Sequence, residues 1–243
     1  MSVNALFRKS GKQILDLLFP PQCVCCKASK AWLCARCVDT IAFIDQPVCR
    51  RCGEPSNNNS LPCRNCRQHP LKALKGIRAA AHFESRPLRD AIHNFKYRNQ
   101  RVLAAILGQM LVDTLDRFNI DFDIIIPVPL HRRRLNDRGF NQSELLATEV
   151  SRKTNRPMNT TWLQRVRNTK TQVNLTAEQR YQNVSDAFLC SGDNLRGRTV
   201  LLIDDVCTTG ATLDACALAL QKKEVSIVWG LTLAKAIVSS TGG

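Results

Sequence analysis

Aromatic side chains are scarce in this chain of 243 residues: they make up 6% of it, with two tyrosines and three tryptophans scattered along its length. No segment therefore announces a pocket walled by stacked rings, as a nucleobase site would be. Acidic residues are also in deficit, 20 against 35 lysines and arginines, for a formal charge of +15. The excess is not confined to a tail, because residues 1–70 hold 10 basic and 4 acidic side chains and residues 71–243 hold 25 and 16. A basic surface attracts polyanions, either nucleic acid or phosphorylated metabolites, or it serves solubility alone. Long hydrophobic runs are missing too. Nothing approaches the roughly 18 apolar residues that span a bilayer, and the run at 14–19 is short and interrupted by Asp16, too weak for an export signal. The expectation is a cytoplasmic protein, in which thiols stay reduced.

What is abundant is cysteine. Nine of the twelve fall between residues 23 and 66, eight of them in four C-x-x-C knuckles: Cys23/Cys26, Cys34/Cys37, Cys49/Cys52 and Cys63/Cys66. One knuckle presents two thiolates to a tetrahedral ion, and two knuckles complete a four-thiolate shell. Spacers of seven and ten residues favour pairing the first knuckle with the second and the third with the fourth, while an interleaved arrangement stays open. Two structural Zn2+ ions are expected; an iron–sulfur cluster or redox thiols are the alternatives. Cys25 is left over. Arg36, Arg50, Arg51, Arg64 and Arg67 lie beside the ligands, suited either to bracing zinc-bound sulfur or to facing a nucleic-acid backbone. The organisation predicted is an N-terminal amphipathic helix over 1–19, a double ribbon over 20–70 with its Asn- and Ser-rich tip at 55–62, and a larger domain over 77–238.

In that larger domain the pattern alternates. Apolar residues at helical spacing run through 102–115, preceded by a short amphipathic segment at 89–96. FDIIIPVP (122–129) suits a buried strand and its exit turn, followed by a helix from about Gln142 to Lys153. VLLI (200–203) is a second buried strand, 213–221 another helix, and VSIVWGLTL (225–233) a later strand. Strand–helix alternation of this kind predicts an α/β fold, a doubly wound and mostly parallel sheet, with ligands bound beyond the carboxyl ends of its strands.

The most informative stretch is VLLIDDVCTTGAT (200–212). A strand ending in Asp204 and Asp205 presents two carboxylates at that edge, which suits the vicinal hydroxyls of a ribose. Thr208, Thr209, Gly210, Ala211 and Thr212 then enter a helix N-terminus, where free N–H groups and the helix dipole favour a phosphate. The competing reading, a helix cap or a metal site, is natural for an isolated Asp–Asp pair and less so for all thirteen residues.

This stretch resembles the phosphoribosyl pyrophosphate (PRPP) motif of type I phosphoribosyltransferases. Together with the cysteine module and IPVPLHRRRLNDRGFNQ (126–142), it resembles the ComF family of competence-related proteins over nearly the whole chain. The resemblance implies a phosphoribosyltransferase-like domain behind a double zinc ribbon. It implies ribose hydroxyls on Asp204 and Asp205, one of them also steadying charge at the ribose C1, and the 5′-phosphate on residues 208–212. It implies a pyrophosphate loop of Leu130, His131, Arg132, Arg133, Arg134 and Arg138 with Mg2+ bridging the phosphate oxygens, a mobile loop that brings Lys170, Gln172 and Arg180 to the ligand, and a link to DNA uptake. Lys96 is a further basic candidate at the rim. The same arginines would serve a single-stranded DNA backbone equally well. Cys207 is expected as a small buried filler whose place beside a helix N-terminus would lower its pKa. Three functions follow: transfer of phosphoribose to an unidentified nitrogen acceptor, handling of single-stranded DNA, or a PRPP-responsive regulator without turnover.

Overall fold

The computed structural model describes residues 20–56, 62–169 and 176–236. The expected helix over 1–19, most of the ribbon tip, and both Lys170 and Gln172 lie outside the described residues.

Two short helices belong to the ribbons, α1 (Ala35–Val38) and α2 (Arg64–Gln68), each starting directly after a cysteine ligand candidate. The larger unit follows as β1 (Gly76–His82), α3 (Arg86–Tyr97), α4 (Leu103–Phe118), β2 (Ile124–Pro127), α5 (Arg132–Arg138), α6 (Gln142–Thr154), β3 (Leu163–Arg165), α7 (Ala177–Val184), β4 (Phe188–Cys190), β5 (Thr199–Cys207), α8 (Ala211–Gln221) and β6 (Ile227–Lys235). The four long strands form one parallel sheet in the order β1-β6-β5-β2, and β3 and β4 form a separate antiparallel pair.

β5 shows why its sequence reads as an unbroken apolar run. Leu201 and Ile203 face a core shared with α3, α4 and α6, while Val200 and Leu202 face a core shared with α8, β3 and β4. A strand covered on both faces has no polar side to alternate with. β1 carries a weaker signal, GIRAAAH, yet its first six residues are buried. Its outer edge is covered by the ribbon module: Ile44 N–H donates to Ala80 O (2.9 Å), His82 N–H to Ala42 O (3.0 Å) and Ile77 N–H to Arg51 O (2.7 Å). An edge strand that would otherwise expose unpaired backbone is thereby closed.

The segment expected as a loop at 129–134 is in part helical. His131 caps α5 by accepting from the Arg133 N–H, and Gly139, at φ +72°, ends it in the left-handed conformation. Likewise the polar segment 165–188 contains α7, started by a reciprocal capping box between Thr176 and Gln179. No helix among the described residues is long and apolar enough to cross a membrane.

Candidate functional site

Register decides where the chemistry collects. Pro127 pairs with Ile203, so the chain leaving β2 runs beside Asp204 and Asp205 as β5 ends. The first turn of α8 closes the third side of a cavity of about 750 Å³. This is the carboxyl edge of the parallel sheet, the general position of ligand sites in such folds.

The two carboxylates differ in surroundings. Asp204 accepts from Ser143 Oγ (2.9 Å) and from the Asp205 N–H (2.9 Å). Its carboxyl is nevertheless pushed up to about 6, first by desolvation and then by the adjacent Asp205 charge, against the pull of those hydrogen bonds and of Lys96. Asp205 is buried and pairs with Lys96 Nζ at 2.8 Å. Lys96 stands in the last turn of α3, so the ribbon-side helix supplies the counter-charge to the second acid.

Of residues 208–212, Thr208 and Thr212 line the cavity. Thr209, Gly210 and Ala211 are buried behind them. Gly210 precedes α8 at φ +85°, a conformation that favours glycine, and a Cβ there would also press on Ile77 Cδ1 at 2.7 Å. Cys207 is a buried filler as expected, but burial pushes its thiol up rather than down. The thiol belongs to the strand, and desolvation outweighs the pull of the Lys235 ammonium beside it.

The arginines divide. Arg134 and Arg138 line the cavity together with Leu130, whereas Arg132 and Arg133 lie on the exposed side of α5 and His131 is occupied as its cap. Arg138 donates to Gln142 Oε1 (2.9 Å) and stands 5.3 Å from the Tyr97 ring. Arg180, on α7, is not among the lining residues. Sequence reasoning missed Arg165. Its guanidinium faces the cavity, donates to Thr169 Oγ1, and has its pKa lowered first by burial and then by Arg134. Its Nε has no partner among the described residues. Arg134 also reaches Thr169, donating to its carbonyl (3.4 Å), so two guanidiniums meet at one residue, an arrangement that an anion relieves. Ser143 was missed as well, since nothing in the sequence relates it to an acid 61 positions away.

The cysteines gather into two groups, Cys23/Cys26/Cys34/Cys37 and Cys49/Cys52/Cys63/Cys66, the sequential pairing. Within the first, sulfurs lie 3.7 Å (Cys23–Cys37) and 3.6 Å (Cys26–Cys34) apart; within the second, 3.9 Å (Cys49–Cys66) and 3.5 Å (Cys52–Cys63). Four sulfurs about 2.3 Å from a tetrahedral ion are about 3.8 Å apart, so both groups fit Zn2+. Arg36 faces the first group, its pKa raised by the Cys26 thiolate beside it. Cys25 is not a member of either group.

Fold and site together define an α/β protein whose cavity, at the carboxyl edge of a parallel sheet, is built from paired acids, a helix N-terminus and guanidiniums, and which carries two four-cysteine centres ahead of it. Residues 14–67 match the double zinc ribbon domain family. The chain belongs to the ComF family. It is 34% identical to Competence protein F of Haemophilus influenzae, over 88% of this chain and 97% of that protein. It is 32% identical to the DNA utilization protein YhgH of Escherichia coli O6:H1, over 87% and 96%. It is 26% identical to the competence protein ComFC of Bacillus subtilis, over 79% and 78%. Among solved structures, the glutamine PRPP amidotransferase from B. subtilis is 18% identical with a TM-score of 0.38, covering 54% of this chain and 26% of that one. TT1426 from Thermus thermophilus is 13% identical with a TM-score of 0.35, covering 58% and 86%.

Proposed function

We propose that the cavity binds PRPP or a related ribose phosphate together with Mg2+, and that the protein acts in DNA uptake as a phosphoribosyltransferase-like member of its family. One observation carries this reading: Asp204 and Asp205 lie in the last four residues of β5, shortly before the α8 N-terminus, in a single cavity that also receives Arg134 and Arg165. Ribose 2′- and 3′-hydroxyls would donate to the two carboxylates. The 5′-phosphate would take the N–H groups and hydroxyls around Thr208 and Thr212, and the pyrophosphate would lie toward Arg134, Arg138 and Arg165. Ribose binding would release Lys96 from Asp205 and leave its ammonium free to face phosphate oxygens. Mg2+ would supply charge neutralisation on the pyrophosphate. The chain's own residues hold the ribose, and the charge developing at C1 as the C1–oxygen bond breaks would be met by Asp204 and Asp205. The acceptor that completes a transfer would be a nitrogen nucleophile.

The double substitution Asp204→Asn/Asp205→Asn keeps size and removes both anionic acceptors. A charge-assisted hydrogen bond contributes roughly 1.5–3 kcal/mol, so PRPP/Mg2+ affinity by calorimetry is expected to fall at least about tenfold with the fold intact. Unchanged affinity would put the ribose elsewhere.

A second reading is favoured by Arg132 and Arg133, which are exposed outside the cavity, and by the names of the relatives, Competence protein F and DNA utilization protein YhgH. It is that single-stranded DNA binds this basic surface. The two readings are compatible, because one uses the cavity and the other the outer side of α5 and the ribbon arginines.

A further inference from the structure

The segment that follows the second four-cysteine group is fastened to the start of α8, and a buried lysine that no motif marks stands behind the same turn. Lys235 ends β6 beside Cys207 and is 2% exposed. Its Nζ donates to the Thr208 carbonyl (2.9 Å) and approaches Cys207 Sγ at 3.8 Å. Burial acts to neutralise this ammonium. The surrounding Cys207, Cys52, Glu54 and Cys66 more than offset it and hold its pKa above the ordinary lysine range. Two of those four, Cys52 and Cys66, belong to the second group of sulfurs.

Other contacts join the same two parts. Asp214, in the first turn of α8, accepts the N–H groups of Lys72 (2.9 Å), Ala73 (2.9 Å) and Leu74 (3.2 Å), the segment leading from the second ribbon into β1. Tyr181 donates to the Thr209 carbonyl (3.2 Å), and its ring stacks with His69 at 6.4 Å, the residue that ends α2. Gly76, at the start of β1, sits so close to the ribbon that a Cβ would meet the Arg50 carbonyl at 2.6 Å. The carbonyls of Thr208 and Thr209 are thus both held by side chains from outside the cradle. In a trans peptide the following N–H points opposite to the carbonyl. Anchoring these two carbonyls therefore fixes the direction of the N–H groups of Thr209 and Gly210, the donors a helix N-terminus offers to a phosphate.

We infer that the second four-cysteine centre braces the phosphate site from behind, through the 69–74 segment that Asp214 and Tyr181 hold, with Lys235 as the positioning residue for the Thr208 carbonyl, so that zinc in this centre sets the affinity for a phosphate-bearing ligand. Losing the metal lets the ribbon part from β1 and loosens the backing of residues 208–212. The first four-cysteine centre has a different neighbour: Cys23, Val24, Cys37 and Ile41 join the core that contains Ile92 and Phe95 of α3. Its loss reaches Lys96 before it reaches residues 208–212.

This inference rests on the ribose-phosphate reading of the cavity, and the test separates the two. Full-length protein carrying Cys63→Ser (second centre), Cys26→Ser (first centre), Lys235→Met or Lys235→Arg is assayed for zinc content, for binding of ribose 5-phosphate and inorganic phosphate, and for amide hydrogen exchange at 208–212. The expected results are one zinc fewer in each cysteine variant, at least a tenfold loss of phosphate affinity in Cys63→Ser and less than threefold in Cys26→Ser. Lys235→Met should retain both zincs and show a similar loss, with partial recovery in Lys235→Arg. Exchange at 208–212 should rise in Cys63→Ser and Lys235→Met alone. Equal effects from the two cysteine variants, or unchanged affinity and exchange in Lys235→Met, would overturn the inference. If the unaltered protein binds neither phosphate probe nor PRPP, the ribose-phosphate reading fails. The exchange measurement still decides whether the ribbon holds the cradle, and it does so in Cys63→Ser even if Lys235→Met does not fold.

Discussion

Asp204 is the residue whose environment has the clearest consequence for measurement. Its folded pKa of about 6 stands above the ordinary 3.8, so between those values the folded protein holds a proton that the unfolded chain has released. Stability contributed at this site therefore falls as pH rises through about 4 to 6, and levels off above. A rise of this size corresponds to a ceiling of about 3 kcal/mol. Asp204→Asn should raise the Tm of the ligand-free protein at pH 7.5, and the difference from the parent should shrink as pH falls from 6 to 4. Thermal melts at four or five pH values check this, and two parallel curves would refute it. Lys96 is the complementary case. It and Asp205 keep 17% and 11% of their side-chain surface exposed, so Lys96→Met leaves a largely desolvated acid beside a second one. Breaking such a pair costs roughly 2–4 kcal/mol, readable as a lower denaturant midpoint with unchanged m-value.

At the scale of elements, the start of α8 depends on Gly210. Gly210→Ala adds a methyl group in the left-handed region, against Ile77 and Leu71. We expect a loss of about 1–3 kcal/mol together with weaker phosphate binding, because the strain falls on the cradle itself. α5 illustrates another point about elements. By winding 132–138 into a helix, the chain turns Arg134 and Arg138 inward and Arg132 and Arg133 outward. Four arginines that look equivalent in sequence acquire two different tasks.

For the whole molecule, the ribbons share a core with the α/β unit and complete the edge of β1. Chelation should accordingly remove close to two zinc ions and lower the main unfolding transition, instead of melting a separate arm. Structural zinc contributes on the order of 10–16 kcal/mol in small ribbons. Elemental analysis and calorimetry with and without chelator test this, and a protein purified without zinc would contradict it. The net charge of +15 bears on DNA. Binding to single strands should weaken with salt at about 0.7 log units of affinity per log unit of salt for each phosphate neutralised. Alanine at Arg50, Arg64, Arg132 and Arg133 should reduce that slope without weakening PRPP, provided zinc content is unchanged. No binding at low salt would remove the DNA reading.

The sequence by itself determined whatever rests on local spacing. C-x-x-C knuckles bring thiolates together within a few residues, so the knuckles were legible; spacing favoured their sequential pairing, and the structure decided it. VLLIDD followed by a glycine turn announced strand, acids and helix start in one stretch, because strand burial and helix entry are both near-neighbour effects. Tertiary structure alone decided what depends on register and on which faces meet. β1 was hidden, since alanines buried under another module carry little periodic signal. Ser143 reached Asp204, Lys96 reached Asp205, and Arg165 reached the cavity only because α6, α3 and β3 are packed around the carboxyl edge where β5 ends. Lys235 ranks as a surface residue by composition. A buried ammonium becomes tolerable only where acceptors meet it, and its carbonyl oxygen and thiol sulfur come from Thr208 and Cys207, nearly thirty residues earlier in the chain.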